Sequence, residues 1–169
     1  MAEIEVGAAI PSIDEPLSDV SGGVHSITPA LARGPVLIGI YKSSCQASKT
    51  MFPFLERLHR RYADGGLTVY GIAQDSANIT ASFARRLEIT FPMLIEPEGY
   101  PVSRAYGITA TPTVLLLLPD GTVGATTMGF FKFPVNELGD AVAAAVGRAP
   151  EPLYTEADAA AGIPAFVPG

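Results

Sequence analysis

Residues 35–58 read PVLIGIYKSSCQASKTMFPFLERL, and the spacing of their apolar residues changes partway along. The run from Pro35 to Ile40 is nearly all apolar, which is typical of a short strand buried on both faces of a sheet. From Cys45 onward the apolar residues recur every three or four positions, which predicts a helix with one buried face. The segment therefore predicts a buried strand, a turn and a helix, with Cys45 where the helix begins.

The rest of the chain alternates between the same two patterns. Residues 4–27 hold short apolar stretches broken by prolines and Gly22-Gly23, which predicts a β-hairpin. The order of elements then predicts an α/β fold in which helices flank a mixed central sheet. Further strands are predicted over 67–73, 91–95, 113–118 and 123–129, and helices over 79–87, with Asn78 as N-cap, and from Pro134 onward.

The sequence divides into one domain and a tail. Residues 1–146 carry the predicted elements and form the domain. Residues 147–169, called the tail below, contain four prolines and an alanine-rich patch. We expect the tail to pack loosely or to be partly disordered.

The composition argues against nucleic-acid binding and against a membrane-spanning segment. The formal charge of −6 disfavours a nucleic-acid partner, because phosphate binding needs a basic surface. No apolar run approaches the ~20 residues that span a bilayer. The first residues, MAEIEVGAAIP, lack the basic and long apolar regions of a signal peptide, which favours a cytoplasmic location, although an exported protein trimmed of its signal would look the same.

Cys45 is the only cysteine of the chain, which excludes an intramolecular disulfide and a cysteine-rich zinc site. The two histidines, His25 and His59, have no acidic or cysteine neighbours at ligand spacing. We therefore expect no metal and no cofactor. Any redox cycle must use a thiol on another molecule.

Residues 35–58 resemble the active-site strand and helix of thioredoxin-like proteins. The resemblance is greatest to the redoxin branch of TlpA- and ResA-like thiol-disulfide oxidoreductases. That family has a C-x-x-C motif where this chain has Cys45-Gln46-Ala47-Ser48, and a helix-kinking proline that Pro53 matches. Its cis-proline before a hairpin strand is matched by Pro112 in the stretch YGITATPT, residues 106–113. The resemblance spans roughly residues 4–145 and implies a thioredoxin-like fold.

Cys45 is a candidate nucleophile on physical grounds as well. The thiolate is the form that attacks a disulfide, and a helix N-terminus stabilises an anion through its free N–H groups and dipole. Lys42 and Lys49 lie close in sequence and can add to this stabilisation. The alternative is an inert buried cysteine, since free cysteines are among the most buried residues.

Ser48 changes the expected chemistry. The resemblance places a second cysteine here, whose thiolate would release the bound substrate, and a serine hydroxyl cannot do so. Ser48 can still donate a hydrogen bond to the Cys45 thiolate. The expected product is a persistent mixed disulfide that only an outside thiol, from a small molecule or a protein, resolves.

Four further positions follow from the resemblance. Thr111 and Pro112 are expected to form a substrate-binding edge that pairs with a polypeptide chain. Asp75 is either a proton acceptor or a plain helix-entry cap. Gly39 stands where some thioredoxins bury an acid.

Three functions are compatible with these residues. The first is a single-cysteine thiol-disulfide oxidoreductase that acts on protein or small-molecule disulfides. The second is a redox-inactive binding module that keeps the groove. The third is an atypical thiol peroxidase, although the peroxiredoxin motif P-x-x-x-[TS]-x-x-C is absent, because Ile38 occupies its proline position and Lys42 its Thr/Ser position.

Overall fold

A five-stranded sheet lies at the centre of the computed structural model, which describes residues 4–169. The first residues of the predicted domain, 1–3, lie outside the described part. In chain order the elements are β1 (Leu17–Ser18), β2 (Val24–His25), α1 (Ile27–Ala30), β3 (Val36–Tyr41), α2 (Gln46–Tyr62), β4 (Thr68–Ala73), α3 (Ala77–Arg86), β5 (Met93–Ile95), α4 (Pro101–Ala105), β6 (Thr113–Leu117), β7 (Val123–Met128), β8 (Phe130–Phe131), α5 (Lys132–Ala145), α6 (Glu156–Ala160) and β9 (Phe166–Val167).

The central sheet is mixed, with strand order β5-β4-β3-β6-β7. Strands β3, β4 and β5 run parallel to one another, whereas β6 runs antiparallel to β3 and forms a hairpin with β7. A small antiparallel hairpin, β1–β2, precedes them. The predicted α/β class, the mixed sheet and the N-terminal hairpin are thereby confirmed.

Both faces of the sheet are covered, which explains why β3 is apolar along its whole length. Side chains alternate across a strand, so Leu37 and Tyr41 point to the face that packs on α2 and α5. Ile38 and Ile40 point to the opposite face, which the N-terminal segment and α4 cover. Strand β3 therefore holds its C-terminal end, and the turn to Cys45, in a fixed place at one edge of the core.

Gly39 allows α2 to lie close to the sheet. Gly39 pairs with Gly71 across β3 and β4, and the ring of Phe52 packs over both glycines. A Cβ at position 39 would lie 2.8 Å from Leu55 Cδ1 and 3.2 Å from Phe52 Cζ. No space remains there for the acid that some thioredoxins bury, because an aromatic ring fills it.

Helix α3 begins earlier than the sequence pattern predicts. Ser76, not Asn78, is its N-cap, and the Ser76 hydroxyl accepts a hydrogen bond from the N–H of Ile79 at 3.4 Å. Ser76 has the extended backbone that an N-cap requires. Asn78 lies inside the first turn, so the prediction of Asn78 as the cap is wrong by two positions.

The tail differs from its predicted loose packing. Leu153 and Tyr154 are buried, and the Tyr154 ring stacks on Phe54 with 5.9 Å between centroids. Arg57 of α2 donates two hydrogen bonds to the carboxylate of Asp158, at 2.9 and 3.0 Å. Two large apolar residues and one ion pair thus fix a segment whose prolines and alanines predict little structure.

The end of the tail adds a strand to the fold. Strand β9 pairs antiparallel with β8, and the N–H of Lys132, which opens α5, donates to the carbonyl of Ala165 at 2.8 Å. Pro134 lies in the first turn of α5, as its fixed backbone angle favours. The tail therefore runs from the far end of α5 back to the start of that helix.

Residues 4–169 hold neither a membrane-spanning helix nor a cluster of metal-ligating side chains. None of the helices described there is long and apolar enough to cross a membrane. Within the same range, no three of the His, Cys, Asp and Glu side chains come together in a way that could hold a metal ion.

Candidate active site

Cys45 lies at the junction of β3 and α2 as the N-cap of the helix. The N–H of Cys45 donates to the carbonyl of Lys42 at 3.1 Å, which closes the turn out of β3. The carbonyl of Cys45 accepts the first helical hydrogen bond, from Lys49 at 3.2 Å. Cys45 is partly exposed, so it is not one of the fully buried core residues.

The surroundings of Cys45 lower the pKa of its thiol below the ordinary value. Partial burial raises the pKa, because it disfavours the charged form. The N–H groups of Ser48 and Ala47, the hydroxyl of Ser48 and Thr111 together outweigh that effect by hydrogen bonding to the sulfur. Because unpaired N–H groups of the first helical turn do much of this work, the start of α2 is what favours the thiolate.

Ser48 is fully buried one helical turn after Cys45. Its Oγ has no hydrogen-bond partner among residues 4–169. A buried hydroxyl without a partner is costly, and ionisation of the neighbouring thiol supplies an acceptor for it. Ser48 is therefore placed to stabilise the thiolate and offers no second sulfur.

Thr111 and Pro112 lie on the other side of the cysteine. The Cys45 thiol donates to the carbonyl of Thr111 at 3.2 Å, and the Thr111–Pro112 peptide bond is cis. Thr111 is half-buried and Pro112 is buried. Four of the five site residues singled out from the sequence thus come together, although Pro112 presents little surface to a ligand.

Asp75 is the fifth, and it does not contact the sulfur. One carboxylate oxygen of Asp75, at the end of β4, accepts a hydrogen bond from the N–H of Ser43 at 2.7 Å. Ser76, the next residue, caps α3 instead. Asp75 therefore ties the turn before Cys45 to the neighbouring strand, a role that sequence reasoning missed because it depends on the pairing of β3 with β4.

A cavity of about 450 Å³ opens beside the Thr111 side of the site. Sequence reasoning did not find it, because its lining comes from four separate parts of the chain. The lining residues are Lys42, Gln74, Tyr100, Ser103, Arg104, Ile108, Thr109, Ala110 and Thr111. The cavity is the largest addition that the structure makes to the candidate site.

The end of the tail also reaches the site. The backbone of Gly169 lies against the carbonyl of Thr111, so closely that a Cβ on Gly169 pointing that way would clash with the oxygen. Gly129, at the end of β7, has the left-handed φ of 67° that a glycine tolerates, and its Cα also lies against Gly169. The tail therefore forms one wall beside the Thr111–Pro112 loop.

Known sequences resemble this chain over most of its length. ResA of Bacillus thuringiensis subsp. konkukian, a thiol-disulfide oxidoreductase, is 22% identical over 122 residues, which are 72% of this chain and 68% of the relative. The thioredoxin-like protein YneN of Bacillus subtilis is 28% identical over 123 residues, 71% of this chain and 69% of the relative.

Solved structures share the fold. A putative thiol:disulfide interchange protein DsbE from Chlorobium tepidum superposes with a TM-score of 0.75 at 23% identity, over 86% of this chain and 100% of that one. Peroxidoxin BcpB from Mycobacterium tuberculosis gives a TM-score of 0.68 at 19% identity, over 86% and 97%. At such identities the likeness shows a thioredoxin-like fold and nothing finer. The model of the AhpC/TSA family matches residues 6–126, most of the chain, and the protein therefore belongs to the AhpC/TSA family of redoxins.

Proposed function

We propose that this protein is a single-cysteine thiol-disulfide oxidoreductase in which Cys45 attacks disulfides and an outside thiol resolves the product. The observation that carries the proposal is a partly exposed thiol at the first turn of α2, with its pKa lowered by the N–H groups of Ala47 and Ser48. Attack on a disulfide needs both the thiolate and access to it. The similarity to ResA, named as a thiol-disulfide oxidoreductase, supports the same chemistry.

The reaction has two exchange steps. The Cys45 thiolate attacks one sulfur of a disulfide, the S–S bond breaks, and the other sulfur leaves as a thiolate that takes a proton from water. The new bond joins Cys45 to the substrate sulfur. A second thiolate from outside then attacks that substrate sulfur, forms a new disulfide with it and releases Cys45 as a thiolate.

The neighbours of Cys45 have distinct roles in this scheme. The Ser48 hydroxyl stabilises the thiolate before attack and again when it is released. Thr111 and Pro112 shape the wall beside the sulfur where the substrate lies. Asp75 holds the turn through Ser43, and its second proposed role, as a proton acceptor, stays a prediction.

Mixed-disulfide formation tests the proposal directly. The protein is incubated with bis(2-hydroxyethyl) disulfide, and the adduct on Cys45 is followed by intact mass. We expect an adduct that forms faster than on a small reference thiol at pH 7, persists after the disulfide is removed, and disappears on addition of 2-mercaptoethanol. Cys45→Ser is the control and gains no mass. An adduct that forms no faster than on the reference thiol would show the proposal to be wrong.

Two further measurements separate this proposal from the other two functions. A redox-inactive binding module would keep its partner after Cys45→Ser and would form no adduct in the wild type. A thiol peroxidase would react with hydrogen peroxide much faster than free cysteine does. We expect no such acceleration in stopped-flow measurements, because Lys42 stands where peroxiredoxins have a Thr or Ser hydroxyl.

The partner and the compartment stay predictions. The outside thiol is a small molecule or a second thiol protein, since the chain has no other cysteine. Capture of a mixed disulfide on Cys45 from cells, followed by mass spectrometry, identifies the partner. The cytoplasmic location expected from the composition is tested by fractionation of the same cells.

A further inference from the structure

The cavity beside Thr111 is continuous with the candidate active site. Thr111 lines the cavity, and its carbonyl accepts the hydrogen bond from the Cys45 thiol at 3.2 Å. Lys42 lines it as well, and the carbonyl of Lys42 accepts from the N–H of Cys45. A volume of about 450 Å³ lies in the range typical of small-molecule sites, ~300–1,000 Å³. A ligand in this cavity would therefore adjoin the residue that attacks.

Two positive charges line the cavity, although the protein as a whole is acidic. Lys42 and Arg104 are both exposed, and neither forms an ion pair with any acid in residues 4–169. Other cations of the chain, such as Arg57 and Arg60, pair with carboxylates. Lys42 comes from the turn after β3 and Arg104 from α4, so only the folded chain brings them to one cavity.

The nearby acids leave these charges available. Both carboxylate oxygens of Glu96 accept hydrogen bonds from Ser103, at 2.6 Å from its N–H and 2.7 Å from its hydroxyl, and Glu96 is buried. Asp75 is engaged by Ser43. Glu98 is exposed on the loop before α4 and does not line the cavity. The acids near the cavity are therefore either engaged in hydrogen bonds with other groups or absent from its lining.

The floor of the cavity is polar and fixed. The Gln74 side chain donates to the Ser103 hydroxyl at 2.8 Å, and Ser103 donates in turn to buried Glu96. This chain of hydrogen bonds holds Gln74 in place at the end of β4. A small polar ligand would meet oriented groups rather than a flexible surface.

We propose that the cavity binds the carboxylates of an anionic low-molecular-weight thiol, whose sulfur exchanges with Cys45. The inference rests on the proposed function and names the class of the outside thiol. The carboxylates lie near Lys42 and Arg104, and the sulfur lies beside Thr111. A small thiol suits the cavity better than a polypeptide chain, because Pro112 is buried and Gly169 occupies one side of the Thr111 carbonyl.

Written in full, the exchange balances without any further oxidant or reductant. The Cys45 thiolate attacks the sulfur of the small thiol in a mixed disulfide with a substrate, and the substrate leaves as a thiolate. The bond formed is Cys45 Sγ to the small thiol's sulfur. A second molecule of the small thiol, as its thiolate, attacks that sulfur, so that a symmetrical small-molecule disulfide and the Cys45 thiolate are released.

Disulfides that differ in charge test the inference. The probes are glutathione disulfide, which is anionic, bis(2-hydroxyethyl) disulfide, which is neutral, and cystamine, which is cationic. Each rate of adduct formation on Cys45 is divided by the rate of the same disulfide with a small reference thiol. We expect the anionic probe to exceed the neutral one by about tenfold, and the cationic probe to be the slowest. Added salt should reduce the preference, because exposed charges are screened.

Variants that remove one positive charge each show which residues cause the preference for the anionic probe. Lys42→Gln and Arg104→Gln should each lower the anionic-to-neutral ratio about two- to fivefold, the range that exposed ion pairs give. Arg33→Gln is the matched control, since Arg33 is an exposed cation that forms no ion pair within residues 4–169 and precedes β3, at the opposite end of that strand from Lys42. The control should leave the ratio unchanged.

The outcomes distinguish the two proposals. If Cys45 reacts with the neutral probe but shows no preference for the anionic one, the cavity inference is wrong and the proposed function stands. The inference is equally wrong if Arg33→Gln, or Lys49→Gln in the cavity on the other side of the turn, lowers the ratio as much as Lys42→Gln does. If no probe reacts faster than with the reference thiol, the proposed function itself fails.

Discussion

Cys45 Sγ lies 3.2 Å from the carbonyl oxygen of Thr111, although 66 positions separate the two residues in the chain. The thiol donates in this contact, so the carbonyl favours the protonated sulfur. The N–H groups of Ala47 and Ser48, the Ser48 hydroxyl and the Thr111 side chain favour the thiolate, and together they outweigh the effect of partial burial. The reactivity of Cys45 therefore depends both on the start of α2 and on the loop before β6.

The first prediction concerns the pH dependence of alkylation. The pKa of Cys45 is lowered, so the rate of reaction with iodoacetamide should rise through a midpoint below that of an ordinary thiol. Ser48→Ala removes one hydrogen bond to the thiolate, worth about 1 kcal/mol, and should raise the midpoint by roughly half to one pH unit. Thr50→Ala, which removes a hydroxyl bonded to the carbonyl of Gln46, is the control. Equal midpoints for wild type and Ser48→Ala would contradict the assignment.

A second cysteine should restore autonomous release. Ser48→Cys places a thiol one helical turn after Cys45, at a buried position that lies against the sulfur. We expect a disulfide between positions 45 and 48 and decay of the mixed disulfide without an outside thiol, at least tenfold faster than in the wild type. Thr50→Cys adds a thiol elsewhere on α2 and should leave the adduct persistent. If the mixed disulfide lasts equally long in the two variants, the missing resolving thiol is not what limits turnover.

Two substitutions of Asp75 distinguish a role in positioning the turn from a role as proton acceptor. Asp75→Asn keeps an oxygen that accepts from the N–H of Ser43, and Asp75→Ala does not. If Asp75 positions the turn, Asp75→Asn should react with the neutral disulfide within about twofold of the wild-type rate, with an unchanged pH profile. Asp75→Ala should be several-fold slower. A loss in Asp75→Asn as large as in Asp75→Ala would indicate a proton acceptor.

The ion pair between Arg57 and Asp158 should fix the tail in a pH-dependent way. Hydrogen bonds from Arg57 lower the pKa of Asp158 from 3.8 to about 2. Burial of the carboxylate opposes this shift, and hydrogen bonds from Thr155 add to it. Because the folded-state pKa is the lower one, the stabilisation is present above pH 3.8 and is lost as the pH falls towards 2. It amounts to roughly 2 kcal/mol at pH 7 and about half of that at pH 3.

Urea unfolding of Asp158→Asn at the two pH values measures this contribution. The variant should be less stable than the wild type by about 2 kcal/mol at pH 7, and the difference should shrink at pH 3. Asp140→Asn removes an exposed acid of α5 and should change little. A difference that stays constant between the two pH values would rule out the ion pair as its source.

Gly39 should tolerate no side chain. In Gly39→Ala the added methyl group meets Leu55 and Phe52 at 2.8 and 3.2 Å, and overpacking of a core costs about 1–3 kcal/mol. The midpoint of thermal unfolding should fall accordingly. Gly121→Ala, at a turn with open space around the glycine, would cost only backbone strain from its φ of 86° and gives a comparison without crowding.

Local pattern predicted the main features of the fold and part of the site. The apolar run before Cys45 and the helical spacing after it gave the strand, the turn and the helix, because both periods are visible in neighbouring residues. The proline and alanine content of the tail predicted loose packing, and this prediction was wrong. Two buried residues and one ion pair hold the tail against the domain although it contains four prolines. Asn78 and Ser76 both suit an N-cap, and only the path of the chain out of β4 distinguishes them.

The sequence by itself determined that this protein has one thiol, that the thiol begins a helix after a buried strand, and that a serine, Ser48, stands three positions after it. These are properties of residue identity and short-range spacing. The tertiary structure decided that Thr111 meets Cys45, that Asp75 holds the preceding turn, and that Lys42 and Arg104 share a cavity. Those relationships join residues distant in the chain, and only the order and direction of the paired strands bring them together.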